Sequence, residues 1–320
     1  MTKYITYVNT QYDADYEYCK QFLFSFGSNY AFATRLFTKD IRKATVIFYA
    51  FVRYPDELVD NPNLKMPGQT HANIYEYKNE WGHVIKNGPS NATHPILRAN
   101  YFLFTNKNIP FEYAGDFIQA MIEDVSSDMR IRTYAELVKY MWGSASVVGH
   151  IMCHIIGYNN VRAFSHAQSL GEAMQLANFL RDIDEDYQDR NRIYLPMNDL
   201  AVFGVTENMI AQRQHTKELK NALRYFYEKN EKLFDRGIYG LRFLHWKNIY
   251  PLLLASYTYR ENIRILKKRN FNPFLDRIRI PTWKKVWFSF LITFAAPVYL
   301  LSSYFSKNQK YQENEESKQE

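Results

Sequence analysis

The stretch "QLANFLRDIDEDYQDRNRIYLP", residues 175–196, decides the fold class. Its apolar residues recur at spacings of three and four, which predicts an amphipathic helix. Asn178, Asp182 and Asp186 are each four residues apart and therefore lie on one face of that helix. Carboxylates this close repel one another, so the face needs a positive charge beside it. On its own, such a stripe is typical of a solvated helix surface.

A second stretch, "RYPDELVDNPN" at residues 53–63, repeats this arrangement earlier in the chain. Asp56 and Asp60 are again four residues apart, and Arg53 stands just before them. Pro55 deletes a helical backbone hydrogen bond, so we expect the helix to kink or restart just before Asp56. Because two acidic stripes occur, each with an arginine beside it and each following a strongly apolar helix, a functional role becomes more favoured than a solvated helix surface.

The donors in both stretches are hard oxygen ligands without cysteine or histidine nearby, which suits Mg²⁺, or Mn²⁺, more than Zn²⁺. Magnesium in proteins usually keeps waters and binds one or two carboxylates together with phosphate oxygens of a substrate. A metal here therefore implies a phosphorylated ligand, and Arg53 and Arg181 offer fork-shaped donors to the same phosphates. The sequence has no glycine-rich phosphate loop, which disfavours a nucleotide hydrolase.

The rest of the chain is typical of an all-α protein. The 320 residues include only 12 Gly and 11 Pro, and no alternating strand pattern competes with the helical spacings. The predicted helices include residues 40–54, 110–129, 133–158, 163–188, 217–244 and 250–268. Aromatic residues make up 17% of the chain, so rings must form much of the core or of a pocket wall. The formal charge of +7 suits an anionic partner, and two cysteines without metal spacing indicate a reducing, cytoplasmic compartment.

One all-α domain is predicted for residues 1–282, since no linker or repeat interrupts it. Residues 283–306 are predicted as an apolar C-terminal helix, because "VWFSFLITFAAPVYLLSSYF" within it has the length and apolar character that a bilayer core requires. Basic residues just before it favour a cytoplasmic body at a membrane surface. A last core helix is the alternative, and deleting residues 286–320 before membrane fractionation distinguishes the two. Residues 307–320 are polar and predicted to be disordered.

The two acidic stretches together resemble the paired aspartate-rich motifs of the squalene/phytoene synthase family. The first, with Arg before Asp-Glu-Leu-Val-Asp and Pro-Asn after it, is most similar to the phytoene synthase form. Between them, "YMWGSASVVGHIM", residues 140–152, resembles the family's helix that opens with tyrosine and ends in Val-Gly. The second stretch, with its R-x-R-x-Y-L-P ending, is the most specific part of the resemblance. It implies a single-domain isoprenoid-synthase helical fold with a central cavity.

The resemblance also implies roles for the polar residues. Asp56 and Asp60 would hold Mg²⁺ on one substrate diphosphate, and Asn178, Asp182 and Asp186 would hold it on the other. The implied diphosphate contacts are Tyr49, Arg53, Gln175, Arg181 and Ser28. The implied catalytic residues are Arg53, the four aspartates and Tyr259.

The implied reaction is the head-to-head (1-1′) condensation of two geranylgeranyl diphosphates through a cyclopropyl (prephytoene) diphosphate to phytoene, in carotenoid biosynthesis. The alternative is the same chemistry on two farnesyl diphosphates, giving squalene or dehydrosqualene. NADPH, which squalene formation needs, is not expected, because the sequence has no recognisable site for it. A non-catalytic assembly or lipid-binding factor is a hypothesis of another class, which the presence of every candidate metal ligand disfavours. The expected partners are prenyl diphosphates and a membrane surface, without nucleic acid or an obligate protein partner.

Other polar residues in the helices have structural interpretations. The carboxylates in residues 123–128 share a four-residue spacing but lack a preceding arginine, and we interpret them as a helix end. His150 and His154 share a helix face without a third ligand, which favours a packed helix over a metal site. Tyr140 either packs in the core or approaches the reacting centre.

Overall fold

The chain is built from helices. The computed structural model describes residues 11–26, 33–61, 66, 69–125, 128–276, 278, 280 and 287. Its α-helices include α1 (Gln11–Phe26), α2 (Lys39–Asp60), α3 (Ile74–Asn87), α4 (Pro95–Lys107), α5 (Phe111–Glu123), α6 (Tyr134–Met141), α7 (Val147–Ile156), α8 (Arg162–Arg181), α9 (Ile183–Arg190), α10 (Met197–Val202), α11 (Glu207–Ala211), α12 (Lys217–Tyr239) and α13 (Ile249–Lys268). A π-helical turn, Trp142–Ser146, joins α6 to α7.

These helices confirm the predicted all-α fold class. Among the described residues no β-sheet forms, and the strand-like pairing there is limited to isolated backbone bridges. None of the helices in this part of the chain is both long and apolar enough to cross a membrane. Ser28, the tail 307–320 and, apart from Trp287, the predicted apolar helix 283–306 lie outside the described residues. Membrane contact through that segment therefore stays a prediction.

Helix α2 is held in place by the aromatic residues of one face. Phe51 is fully buried, and its ring centroid lies 5.0 Å from that of Trp81 in α3, 6.0 Å from Phe104 in α4 and 6.3 Å from Phe117 in α5. Packing of large rings on several sides stabilises the helix and restricts its rotation. At 100° per residue, the first acidic stripe falls on the opposite face of α2 and turns away from this core.

Helix α8 contacts α7, α12 and α13, and its approach to the preceding helix depends on glycine. A Cβ atom at Gly171 would lie 2.5 Å from the carbonyl oxygen of Ala145, and one at Gly149 would lie 2.5 Å from that of Ala167. Side chains at these positions would force the backbones apart, because the interior has no free volume to receive them. The close packing therefore fixes where α8 carries the second acidic stripe.

The predicted helix over residues 163–188 is interrupted at Asp182, so the prediction of one continuous helix is wrong there. Helix α8 ends at Arg181 and α9 begins at Ile183, because Asp182 has φ −105° and ψ 16° instead of helical values. A backbone hydrogen bond still crosses the break, since the Asp182 N–H donates to the Asn178 carbonyl at 2.8 Å. Asp182 therefore separates α8 from α9, and the carboxylates of the second stripe lie at and after this break.

Helix α2 continues through Pro55, so of the two predicted alternatives, a kink or a restart before Asp56, the restart is wrong. Pro55 has no N–H to donate to the carbonyl of Phe51, four residues earlier. The hydroxyl of Tyr77 in α3 donates to that carbonyl instead, at 3.3 Å. The buried carbonyl therefore has a partner, and the helix needs no interruption.

Candidate active site

The first acidic stripe lies on the face of α2 opposite its aromatic contacts. Tyr49, Arg53, Asp56 and Asp60 follow one another at helical spacings along this face. Arg53 forms ion pairs with Asp56 and with Glu57, whose side chain is only 3% exposed. One guanidinium fork therefore neutralises two neighbouring carboxylates.

The second acidic stripe surrounds the break between α8 and α9. The Nε of Arg181 donates to Oδ1 of Asp182 at 2.6 Å, and a second nitrogen of the same guanidinium pairs with the other carboxylate oxygen. One turn earlier, the Nδ2 of Asn178 lies 3.5 Å from Oε1 of Gln175. The predicted ligands of this stripe are thus present together, with the arginine already bound to a carboxylate.

Two arginines of the second stretch reach the first stripe. Oδ1 of Asp60 lies 3.2 Å from Nη1 of Arg192 and 3.4 Å from Nε of Arg190. Arg190 also lies 3.4 Å from Asp186, so it stands between one carboxylate of each stripe. Asp60 and Arg192 are 132 residues apart in sequence. The structure therefore brings the two acidic stripes into one site.

Tyr49 and Tyr259 belong to the same site. Burial raises the pKa of Tyr49 far above its ordinary value, the charge of Arg53 opposes this rise, and Tyr259 and Asp56 add to it. Tyr49 is therefore a neutral hydroxyl donor at neutral pH. Tyr259, on α13, also contributes to the electrostatic surroundings of Arg181. It consequently lies near residues of both acidic stripes.

A buried polar network beside the site is absent from the sequence-based predictions. Asp124 accepts hydrogen bonds from Tyr140 at 2.7 Å and from Tyr194 at 3.2 Å. Arg192 donates through one nitrogen to the backbone carbonyl of Asp124 and through another to Asp60. The R-x-R-x-Y-L-P ending of the second stretch could have indicated Arg192. Nothing local in the sequence links Asp124 to the two tyrosines. The network anchors Arg192, which in turn holds Asp60.

Burial and mutual repulsion raise the pKa values of carboxylates in both stripes. The pKa of Asp56 rises to about 7, chiefly through burial, with Arg53 opposing the rise and Asp60 adding to it. The pKa of Asp186 also lies well above its usual range, first because of burial and then because of Asp182. Carboxyl groups in this condition lack the positive charge that a divalent cation supplies.

The donor set fits an Mg²⁺ ion whose coordination is completed by the phosphate oxygens of a substrate. Within the part of the chain that the structure describes, no three acidic, histidine or cysteine side chains form a ready metal cluster. Magnesium commonly binds only one or two protein carboxylates and takes its other ligands from water and phosphate. Two separate pairs of carboxylates, facing one site, match that requirement better than a single all-protein cage would.

Replacing Asp56 by asparagine is expected to stabilise the metal-free protein at alkaline pH. The folded pKa of about 7 exceeds the unfolded value of about 3.9, so the native state binds more protons between these pH values. The stability contributed by the protonated group is therefore lost as the pH rises through about 7. Asparagine avoids this loss, worth about 1 kcal/mol after allowance for a side chain that is 34% exposed.

Thermal unfolding in EDTA measures this effect. The gain should be roughly 1–2 °C in Tm at about pH 8 and should shrink towards about pH 5, where the wild-type carboxyl is protonated. A variant that is less stable than the wild type at both pH values would show that the ion pair with Arg53 outweighs the cost of burial, contrary to this expectation.

The sequence-based interpretations of two other groups of polar residues are confirmed. His150 packs among aromatic rings, with its centroid 5.5 Å from Tyr113 and 5.3 Å from Trp142, and His154 lies 6.4 Å from Tyr113. These histidines therefore belong to a packed helix. Helix α5 ends within residues 123–128, as the carboxylate pattern there predicts.

Comparisons with known proteins indicate one family. The sequence profile described as squalene/phytoene synthase matches residues 25–284. A phytoene synthase of Arthrospira platensis is 28% identical over 287 residues, which cover 85% of this chain and 90% of that protein. Phytoene synthase 2, chloroplastic, of Zea mays is 27% identical over 277 residues, covering 85% of this chain and 67% of that protein. The crystal structure of a dehydrosqualene synthase in complex with ligand superposes with a TM-score of 0.81 at 24% identity, over 90% of this chain and 98% of that one, and shows the shared fold.

Proposed function

Since the chain belongs to the squalene/phytoene synthase family, a family of prenyltransferases, we propose that it joins two geranylgeranyl diphosphates head to head to form phytoene. The observation that supports this proposal most strongly is that Arg190 and Arg192 bring the two acidic stripes together. Each stripe has its own carboxylates and its own arginine, so the site has two halves suited to two diphosphates. The relatives named phytoene synthase support the C20 substrate.

The proposed metal is Mg²⁺. Asp56 and Asp60 would hold it in one half of the site, and Asn178, Asp182 and Asp186 would hold it in the other. Bound there, Mg²⁺ would neutralise a diphosphate and make it a better leaving group. The raised pKa values of two of these carboxyl groups, caused first by burial and then by neighbouring carboxylates, support the assignment, because a bound cation would stabilise their charged forms.

The proposed reaction begins with cleavage of the C1–O bond of one substrate, which leaves an allylic cation and a diphosphate. Arg53, Arg181 and the neutral hydroxyl of Tyr49 are the donors that would stabilise the charge on the departing diphosphate. The double bond of the second substrate attacks the cation, and loss of one proton closes a cyclopropylcarbinyl diphosphate. Cleavage of its C–O bond, rearrangement and loss of a second proton give the 1-1′ linked C40 chain and a second diphosphate.

Aromatic side chains beside the second stripe would protect the cations. Phe179 follows Asn178 on α8, and its ring stacks on that of Tyr194 with centroids 4.3 Å apart. Tyr140 extends this group, with its ring centroid 6.1 Å from that of Phe179. Aromatic faces stabilise positive charge and exclude water without offering a strong nucleophile. The group therefore suits a reaction whose intermediates are carbocations.

Product analysis tests the proposal. Purified protein with Mg²⁺ is incubated separately with geranylgeranyl and with farnesyl diphosphate, each with and without NADPH, and the hydrocarbon is identified. Phytoene from the C20 substrate, independent of NADPH, is the expected result. Squalene or dehydrosqualene formed only from the C15 substrate would favour that alternative, and the absence of any hydrocarbon would favour the non-catalytic binding factor.

A further inference from the structure

Helix α3 supplies a hydrogen bond that the backbone of α2 cannot make for itself. Pro55 removes the donor that would serve the carbonyl of Phe51, and the hydroxyl of Tyr77 takes its place at 3.3 Å. Tyr77 is fully buried, and burial raises its pKa well above the ordinary value, so the hydroxyl keeps its proton. This replacement hydrogen bond lies in the helical turn that ends next to Asp56.

A residue in the segment before α3, His71, makes a second contact with the same turn and is itself held by α3. The Nδ1 of His71 lies 3.0 Å from the hydroxyl of Tyr54, the residue before Pro55. The Nε2 of His71 lies 2.6 Å from Oε2 of Glu80, which is three residues after Tyr77 on α3. Tyr54 is fully buried and His71 is 4% exposed, so water competes little with these hydrogen bonds.

Glu80 in turn is anchored to the start of α4. Its Oε1 accepts hydrogen bonds from the backbone N–H groups of Thr93 and His94, at 2.6 and 3.0 Å. These bonds and the one from His71 lower the pKa of Glu80 to about 2 despite its partial burial, so the carboxylate stays charged. The brace behind α2, which consists of Tyr77, His71 and Glu80, is therefore itself held in a fixed position.

We propose that this brace positions the first acidic stripe for its ligands. Tyr77 and His71 contact the face of α2 opposite Arg53 and Asp56, and Glu80 holds His71 from behind. None of the three would touch metal or substrate. They are therefore positioning residues, and the inference rests on the proposed diphosphate-binding function of the stripe. Outer-shell partners of this kind commonly change the affinity of a metal site by about 10- to 100-fold.

The backbone N–H that Pro55 lacks provides a specific test of the positioning role. Tyr77→Phe keeps the ring but leaves the Phe51 carbonyl without its partner, whereas Pro55→Ala restores the backbone N–H that the carbonyl needs. Tyr77→Phe is expected to weaken the Mg²⁺-dependent binding of inorganic diphosphate by about tenfold in the natural background. In the Pro55→Ala background the same change should cost less than about twofold, because the hydroxyl is no longer required.

Titration calorimetry with Mg²⁺ and inorganic diphosphate measures the four proteins of this cycle, and thermal unfolding confirms that each is folded. Tyr227→Phe is the matched control, since Tyr227 is a buried tyrosine on α12 that packs against Phe271, and it should leave binding unchanged. Tyr54→Phe, which removes the contact with His71, should weaken binding in the same direction as Tyr77→Phe.

Three outcomes would overturn the inference. Equal binding by the wild type and Tyr77→Phe would show that the brace does not position the stripe. An equal loss in the natural and the Pro55→Ala backgrounds would show that Tyr77 acts by another route than the repair of the Phe51 carbonyl. If the wild type itself does not bind diphosphate with Mg²⁺, the proposed function of the stripe is wrong, and the positioning role falls with it.

Discussion

Replacing Asp182 by asparagine is expected to reduce hydrocarbon formation by about 10³-fold. Asp182 occupies the break between α8 and α9, and its carboxylate is bound by Arg181, the arginine proposed to face the second diphosphate. Asparagine keeps the size of the side chain but removes its charge. Both the proposed metal contact and the position of Arg181 would then be lost, while the helices should be retained.

Asp184→Asn is the control for this prediction. Asp184 lies two residues away on α9 and pairs with Arg213, whose side chain is 57% exposed, at 2.8 Å. An exposed pair of this kind contributes little to stability. Asp184→Asn should therefore keep nearly full activity, measured as hydrocarbon formed under saturating substrate and Mg²⁺. Similar losses of activity in both variants would show that the overall negative charge of α9 matters and that Asp182 has no special role.

Replacing Gly171 by alanine is expected to destabilise the protein by about 2 kcal/mol, although alanine is the better helix former. The added Cβ would meet the carbonyl oxygen of Ala145 at 2.5 Å, and backbone on both sides would have to move. A lower Tm, by roughly 3 °C, is the expected result in thermal unfolding. Because α8 carries the second stripe, activity at moderate temperature should also fall.

Gly115→Ala provides the opposite case within the same protein. Gly115 lies on the exposed side of α5, and a Cβ atom there would have no heavy atom within 4 Å. The helix propensity of alanine should then raise stability by about 0.5–1 kcal/mol. If Gly171→Ala were as stable as Gly115→Ala, the close contact between α8 and the helix before it would not be a constraint on the fold.

Local patterns in the sequence predict most of the helices and the two acidic stripes. Spacings of three and four place Asp56 with Asp60, because this geometry depends only on the helix to which the residues belong. The break at Asp182 could not be predicted in the same way. Neither glycine nor proline marks it, so no local rule identifies the one residue whose φ and ψ are not helical.

The partners of the charged groups are likewise a tertiary property. The sequence places arginines near both stripes, but it does not show that Arg190 and Arg192 cross to Asp60. Pro55 illustrates the same limit, since the rule about its missing N–H is correct and the predicted restart is nevertheless wrong. The hydrogen bond that replaces the missing one comes from Tyr77, on another helix.

The two halves of one site are proposed to act on two prenyl diphosphates, and the stoichiometry of the reaction decides whether they do. Released diphosphate and hydrocarbon are quantified together in one incubation of the full chain with geranylgeranyl diphosphate and Mg²⁺. We expect two diphosphates for each C40 hydrocarbon formed from two C20 substrates. Release of diphosphate without carbon–carbon coupling, or one diphosphate for each coupled product, would contradict it.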